Sequence, residues 1–399
     1  MAELDVGDKQ VRRVCKTIGA ERVAERDAAV LAYQARPLTE RKAVPEGVLA
    51  PAVAAVGVDG GRLQIFERLA KGQEAAQAKV SEPEEIQDDV ALPEPAAEAK
   101  KPMHWREDKI GLLMTMTSEC HSADPCPEIP ASFVNPHWIP ELARELNKRA
   151  PPKETSADKS TEQPAPVPKE ASTEWQSPEV ATKHLVATRR PWEQFGPMVA
   201  AAAWSLGFFG AARKAFLGDG AGNNWTLWRN YFSSFVPILD FIHALTYVFH
   251  SALAGRSFAE GWLVYNRWIR WVWLGEMERV IAELAQRQAE LGTLPADAKE
   301  TSPAKVVSRA LGYLQENKER MRYADYRRQG LPIVSSYVES AVKQFNYRVK
   351  GTEKFWRETG AEEILQLRAD YLSDGNPLSQ FWQRRQASES GQPRHRTAA

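Results

Sequence analysis

The alternation of hydrophobic and polar positions divides the chain into segments with helical and with strand periodicity. Residues 8–30 repeat valine and isoleucine at roughly helical spacing, with charged residues between them, which predicts an amphipathic helix. Residues 53–65 read Val-Ala-Ala-Val-Gly-Val-Asp-Gly-Gly-Arg-Leu-Gln-Ile, an apolar run interrupted by two glycines. This pattern predicts a hairpin-like strand, turn and strand, with Asp59 at the end of the first strand.

The same periodicities predict the elements in the rest of the chain. Further strands are expected at 109–116, 213–217 and 235–239, and helices at 136–149, 191–210, 223–232, 241–253, over most of 258–322, at 336–345 and on to Tyr371. Three antiparallel strands followed by alternating helices and strands is the order of the ribonuclease-H-like (RNase H-like) fold. We therefore expect an α/β protein whose mixed five-stranded sheet is flanked by helices, with an all-α insertion before the last core helix.

Changes in composition set the expected domain boundaries. Segment 70–102 is acidic and lacks aromatic residues, and segment 150–180 is rich in Pro, Lys, Ser and Glu, which predicts a disordered insert and a linker. The other parts are an N-terminal helical region (1–45), the two halves of the RNase H-like core (46–69 with 103–149, and 181–255), the all-helical insertion (256–325), the last core helix with the C-terminal helix (326–375) and a flexible tail (376–399).

Composition also excludes several classes of protein. The 399 residues are 43% hydrophobic, enough for a large core, but no run reaches the about 18 apolar residues of a membrane span. The charged N-terminus differs from a signal peptide, and 3 Cys do not make a disulfide framework. We therefore expect a cytoplasmic protein without a membrane partner.

The net charge of +0 hides an uneven distribution. Residues 82–99 contain seven acids and no base, whereas residues 305–357 contain twelve Lys or Arg and five acids, a net charge of +7. Such a basic segment is either a surface for an acidic partner or a solvated helix face.

Three carboxylates carry the candidate chemistry. In the expected order of elements, the first strand ends at Asp59 and the fourth at Asp219, and these strands are neighbours in the sheet. The last core helix carries Glu339 and returns beside them. An oxygen-rich site of this kind suits two Mg²⁺ or Mn²⁺ ions, which together can promote displacement at a phosphodiester.

Several segments in a fixed order make the chain recognisable. They are Val58-Asp-Gly-Gly-Arg-Leu-Gln-Ile65, His104-Trp-Arg-Glu-Asp-Lys109, Leu217-Gly-Asp-Gly-Ala221, Ile238-Leu-Asp-Phe-Ile-His-Ala-Leu245, Tyr326-Arg-Arg-Gln-Gly-Leu-Pro-Ile333 with Val338-Glu-Ser340, Arg348-Val-Lys-Gly-Thr-Glu-Lys-Phe-Trp356 and Glu362-Glu-Ile-Leu-Gln-Leu-Arg368. With these segments the chain resembles bacterial insertion-sequence transposases of the DDE type, the Kra-like group in particular, and more distantly the Mutator-like transposases. The resemblance implies that Asp59, Asp219 and Glu339 are the metal-binding catalytic acids.

Asp240 and His243 form an Asp-x-x-His sequence directly after a predicted strand, as such transposases have beside their catalytic triad. One turn of helix puts both side chains on one face, where His243 could bind a catalytic carboxylate or the scissile phosphate. Two alternatives stay open. Asp240 rather than Asp219 could be the second metal ligand, and His243 could be an ordinary core histidine.

Four cations follow Glu339 and are candidates for phosphate binding, namely Lys343, Arg348, Lys350 and Lys354. Trp356 could stack on a flipped base or pack between the last helices, and the Trp residues of 262–273 are expected to be core. Cys120, His121 and Cys126 lack a Cys-x-x-Cys pair, which disfavours zinc. The chain has no Gly-x-x-x-x-Gly-Lys loop, which argues against ATP as a cofactor.

The expected function is therefore that of a DDE transposase, acting on DNA as a homo-oligomer near the nucleoid. Its substrates would be the terminal inverted repeats of an insertion sequence and target DNA. Two features weaken the match: Val334 and Ser336 replace glycines usual before the glutamate, and residues 4–27 resemble only the later part of a helix-turn-helix region. The resemblance therefore implies that region 1–45 is a DNA-binding region of truncated helix-turn-helix type. The alternatives are an inactive or repurposed transposase-derived DNA-binding protein and a nuclease of the same fold.

Overall fold

The computed structural model describes residues 7–65, 105–147, 176–295, 298–350 and 354–388. The predicted acidic insert, nearly all of the predicted linker and the last part of the predicted tail lie outside these ranges. None of the described helices combines the length and apolar character needed to cross a membrane.

The described part of the chain contains six strands, thirteen α-helices and three short 3-10 helices. The strands are β1 (Val53–Ile65), β2 (Trp105–Thr117), β3 (Glu179–Thr188), β4 (Arg213–Gly218), β5 (Val236–Leu239) and β6 (Phe355–Trp356). The helices are α1 (Asp8–Gln34), α2 (Leu38–Arg41), α3 (Trp138–Asn147), α4 (Trp192–Ser205), α5 (Gly222–Tyr231), α6 (Phe241–Leu253), α7 (Phe258–Leu274), α8 (Met277–Leu291), α9 (Pro303–Asn317), α10 (Tyr323–Arg328), α11 (Ser336–Val349), α12 (Glu358–Leu372) and α13 (Pro377–Ser388).

The five main strands form one mixed sheet in the order β3-β2-β1-β4-β5, and the short β6 pairs with the end of β1. The pairs β1–β2 and β2–β3 are antiparallel, whereas β1–β4 and β4–β5 are parallel. Helices cover both faces of the sheet. The expected α/β fold is confirmed, and the strand order is consistent with an RNase H-like arrangement.

The predicted hairpin around Asp59 is wrong. β1 is one continuous strand that pairs with β2 along almost its whole length, and Asp59 lies inside it, opposite Ile110. Gly60 and Gly61 do not have the positive φ that many tight turns need. The third antiparallel strand is instead β3, which begins at the end of the predicted linker and pairs with β2.

Glycines let a helix lie close to β1 on one face. Gly57, Asp59 and Gly61 alternate along the strand and therefore share a face. A Cβ on Gly57 would overlap Val338 of α11, and a Cβ on Gly61 would crowd Asn346 of the same helix. The two glycines allow α11 to pack directly over Asp59, which brings Glu339 to the sheet.

The C-terminal region is more regular than predicted. Where a flexible tail was expected, residues 377–388 form α13, whose Phe381 is 3% exposed. Arg385 of α13 donates hydrogen bonds to Glu21 of α1, and α1 itself packs along α12. The N-terminal helix is thus part of the same packed body as the sheet.

The all-helical insertion is confirmed as a Trp-rich core. Trp268 and Trp273 are each 1% exposed, and Trp262 and Trp271 pack against the same hydrophobic cluster from its edge. These rings stabilise the insertion by burial, in agreement with their predicted core role.

Candidate metal centre

Parallel pairing of β1 and β4 brings the first two predicted acids together. The register runs from Val53 opposite Arg213 to Gly57 opposite Leu217. Asp59 and Asp219 each lie two residues after that last pair, so they occupy neighbouring positions just beyond the point where the pairing of β1 with β4 ends. Both residues are half-buried. The predicted adjacency of the first and fourth strands is confirmed.

The turn that carries Asp219 is held from two sides. Asp219 Oδ1 accepts hydrogen bonds from the Ala221 amide (2.9 Å) and from Asn224 Nδ2 (2.7 Å). The Tyr313 hydroxyl, from α9 of the insertion, donates to the main-chain oxygen of Asp219 at 2.7 Å. Gly220 has φ +95° and a Cβ there would overlap the Tyr313 ring, so only glycine suits this position. The insertion therefore fixes the backbone beside the site.

Asp240 links two helices of the site. Its side chain is the N-cap of α6, where Oδ1 accepts from the amides of Ile242 (2.6 Å) and His243 (3.2 Å). Its Oδ2 accepts from the Ser335 amide (2.7 Å) and from the Ser335 hydroxyl. Ser335 is the N-cap of α11. Asp240, 1% exposed, thus joins the start of α6 to the start of the helix that carries Glu339.

Asp240, His243 and Glu339 form a group that could hold a metal ion. Each offers one ligand atom, and these atoms all lie within 4.8 Å of one another. Two carboxylates and an imidazole are a ligand set that several divalent metals accept. Among the described residues, Asp59, Asp219 and Glu339 do not form a group of three that is equally compact, and no group contains a cysteine.

His243 is held as a cation by its surroundings. Nδ1 lies 3.8 Å from Asp240 Oδ1, too far for a hydrogen bond, so their attraction is ionic. Burial opposes protonation, but Asp240, Asp219 and Glu339 outweigh it and raise the pKa of His243 to about 9. A metal ion bound through His243 would first have to displace its proton.

The predicted DNA-binding cations follow Glu339 along and just beyond α11. Lys343, Arg348 and Lys350 are exposed, and Lys354 donates to the main-chain oxygen of Tyr347 at 2.9 Å. These positions leave their DNA-binding role a prediction. Trp356 donates to the main-chain oxygen of Val349 at 2.7 Å and packs against the core, which favours its packing role.

One acid of the site was missed by sequence reasoning. Asp108 is 0% exposed, and neither of its side-chain oxygens accepts a hydrogen bond within the described ranges. Burial raises the pKa of Asp108 to about 6. In the sequence it belongs to the charged run Arg-Glu-Asp-Lys, which is typical of a surface turn. The signal was the alternation Asp108, Ile110, Leu112, which puts the acid on a buried face.

Comparisons of the chain with protein-family models, with curated proteins and with solved structures gave no match.

Proposed function

We propose that the protein is a DDE transposase that cleaves DNA at insertion-sequence ends and joins them to target DNA in metal-dependent phosphoryl transfers. The observation that supports this most is that acids distant in sequence lie on neighbouring elements, close to where the pairing of β1 with β4 ends. Asp59 and Asp219 occupy neighbouring positions on paired strands, and α11 packs over them with Glu339 beside His243 and Asp240.

The residues at the site suit Mg²⁺ or Mn²⁺, because carboxylate oxygens dominate. In this proposal Asp59, Asp219 and Glu339 would hold two ions, which would supply positive charge to the phosphodiester. Water displaces the 3′-oxygen at the element's end, and the freed 3′-hydroxyl then displaces an oxygen at a target phosphate. Each step exchanges one P–O bond for another and needs no oxidant or covalent enzyme intermediate.

The remaining residues have supporting tasks. Asp240 fixes α6 against α11 through its four hydrogen bonds. His243, a cation, balances the acids and can attract the scissile phosphate. Lys343, Arg348 and Lys350 extend a positive surface away from Glu339, where the DNA backbone would lie.

The test is a nicking assay on the DNA that flanks the gene on both sides, with purified full-length protein and Mg²⁺ or Mn²⁺. We expect cleavage at defined ends, abolished by chelator and reduced about a hundredfold or more by Asp59→Asn, Asp219→Asn or Glu339→Gln. Glu316→Gln, a change at an exposed acid of the insertion, is the matched control and should cleave normally. Equal cleavage by the Asp59→Asn protein would overturn the proposal.

A DNA-binding protein without cleavage activity is the second candidate. The observation in its favour is that the most compact ligand group uses Asp240 and His243 rather than Asp59 and Asp219. It predicts salt-dependent binding of the same flanking DNA with no metal-dependent cut, and equal binding by the Asp59→Asn variant.

A further inference from the structure

Asp108 is a buried carboxylate without a donor. It lies on β2 opposite Gly61 of β1 and is 0% exposed. Neither oxygen accepts a hydrogen bond from any residue in the described ranges. An unpaired buried charge costs several kcal/mol, so buried carboxylates are normally paired or bind a cation. The charge of Asp108 must therefore be offset by a proton or by a cation.

A third oxygen points to the same place. A Cβ built on Gly61 would lie 2.9 Å from Oδ1 and 2.9 Å from Oδ2 of Asp108, and 3.2 Å from Oδ1 of Asn346 on α11. Asn346 Oδ1 is buried and also lacks a donor among the described residues. Three acceptor oxygens without a hydrogen-bond donor among the described residues thus lie close to one another beside Gly61, on the face of β1 that carries Asp59.

We propose that Asp108 and Asn346 form a second cation site, beside the candidate metal centre, for a hard divalent cation such as Mg²⁺ or Mn²⁺. The carboxylate supplies the charge and two oxygens, and the amide oxygen supplies a third. Asn346 is half-buried, so water or a phosphate oxygen can complete the coordination from the solvent side. The use of this ion in phosphoryl transfer rests on the proposed function, whereas its binding to Asp108 and Asn346 does not.

Nearby charges act on this site in opposite directions. Asp59 strengthens it, whereas Lys109 and Lys350 compete with a bound cation. Lys109 is already paired with Glu107, at 3.2 Å. Lys350, just after α11, is therefore the main competitor of a bound cation, because its ammonium group could itself neutralise Asp108.

The experiment measures Mn²⁺ binding to the full-length protein by equilibrium dialysis and the thermal midpoint with chelator or with saturating Mn²⁺. Asp108→Asn should lose one bound ion, or weaken its affinity about tenfold or more, and should lose part of the Mn²⁺-induced rise in Tm. The same loss should occur when Asp108→Asn is added to Asp59→Asn with Asp219→Asn, which separates this site from the proposed catalytic one.

Two further variants should change Mn²⁺ binding in the direction opposite to Asp108→Asn. Asn346→Asp adds a charged ligand and should tighten Mn²⁺ binding roughly tenfold. Lys350→Met removes the competing charge and should also tighten it. The proposal is overturned if Asp108→Asn binds as many ions as tightly as the wild type. It is equally overturned if Lys350→Met leaves Mn²⁺ binding unchanged while lowering Tm, since Lys350 would then be the counter-ion.

Discussion

Asp240 belongs to the candidate metal centre and Asp108 lies beside it, and these two equally buried carboxylates differ in their hydrogen bonds. Asp240 is 1% exposed and accepts four hydrogen bonds, whereas Asp108 is 0% exposed and accepts none from the described residues. Asp240 follows a short parallel strand and caps a helix. Asp108 lies within an antiparallel strand, where the main-chain donors are used by the ladder.

The difference teaches that burial alone does not determine what an acid does. Donors around Asp240 make its charge a structural link between α6 and α11. Without donors, the charge of Asp108 is a cost that a proton or a cation must offset. Asp240 therefore stabilises the site through its hydrogen bonds, whereas Asp108 must itself be stabilised by its surroundings.

The largest expected effect is from removing Asp240. Asp240→Ala leaves the Ser335 amide, the Ser335 hydroxyl and the first amides of α6 without an acceptor. We expect a loss of about 4 kcal/mol in the free energy of unfolding, measured by urea denaturation. Ser335→Ala, which removes one donor only, is the control and should cost about 1 kcal/mol. A similar small loss for Asp240→Ala would remove the contrast between the two acids.

Asp108→Asn should raise the free energy of unfolding, whereas Asp240→Ala lowers it. A carboxyl group whose pKa is raised on folding adds stability below its unfolded pKa, and this is lost as pH rises through the folded value of about 6. With chelator present, the free energy of unfolding of the variant should therefore be about 3 kcal/mol higher than that of the wild type at pH 8. At pH 4 the two proteins should differ little. Urea denaturation at both pH values measures this, and a pH-independent difference would contradict it.

His243 should give an intermediate effect at higher pH. Its raised pKa means that its contribution is complete below about pH 6.5 and is lost as pH rises through about 9. Between pH 7 and pH 10 the free energy of unfolding of the wild type should fall by on the order of 2 kcal/mol more than that of His243→Gln. His137→Gln, at an exposed position, is the control and should lose stability with pH as the wild type does. An NMR titration of the His243 ring that gave a midpoint near 6.5 would contradict the assignment.

The smallest expected effect concerns Asp219, whose main-chain oxygen is held by the insertion. Tyr313→Phe keeps the stacked contact with Tyr247, at 3.7 Å between ring centroids, but removes the hydrogen bond. We expect a loss of about 1 kcal/mol in unfolding free energy and a few-fold weaker Mn²⁺ binding. Unchanged Mn²⁺ affinity would mean that the insertion does not help to position Asp219.

Much of the fold was predictable from local pattern. The strands β4 and β5 end where apolar runs end, and the Trp-rich insertion has helical periodicity throughout. The hairpin at Asp59 was wrong because Gly60 and Gly61 read as a turn in sequence. In the fold, the glycines of β1 instead make room for α11. β3 was missed because its first half is mostly exposed, so its apolar alternation is weak.

By itself, the sequence determined the composition of the core, the order of most elements and the set of acids from which a metal site can be built. Those properties follow from periodicity and residue chemistry, which are local. Only the tertiary structure decided that the Asp240 side chain accepts four hydrogen bonds and that His243 lies among three carboxylates. It also decided that Asp108 is buried without a hydrogen-bond donor among the described residues. Burial and donor geometry depend on packing between residues distant in sequence, so no local pattern contains them.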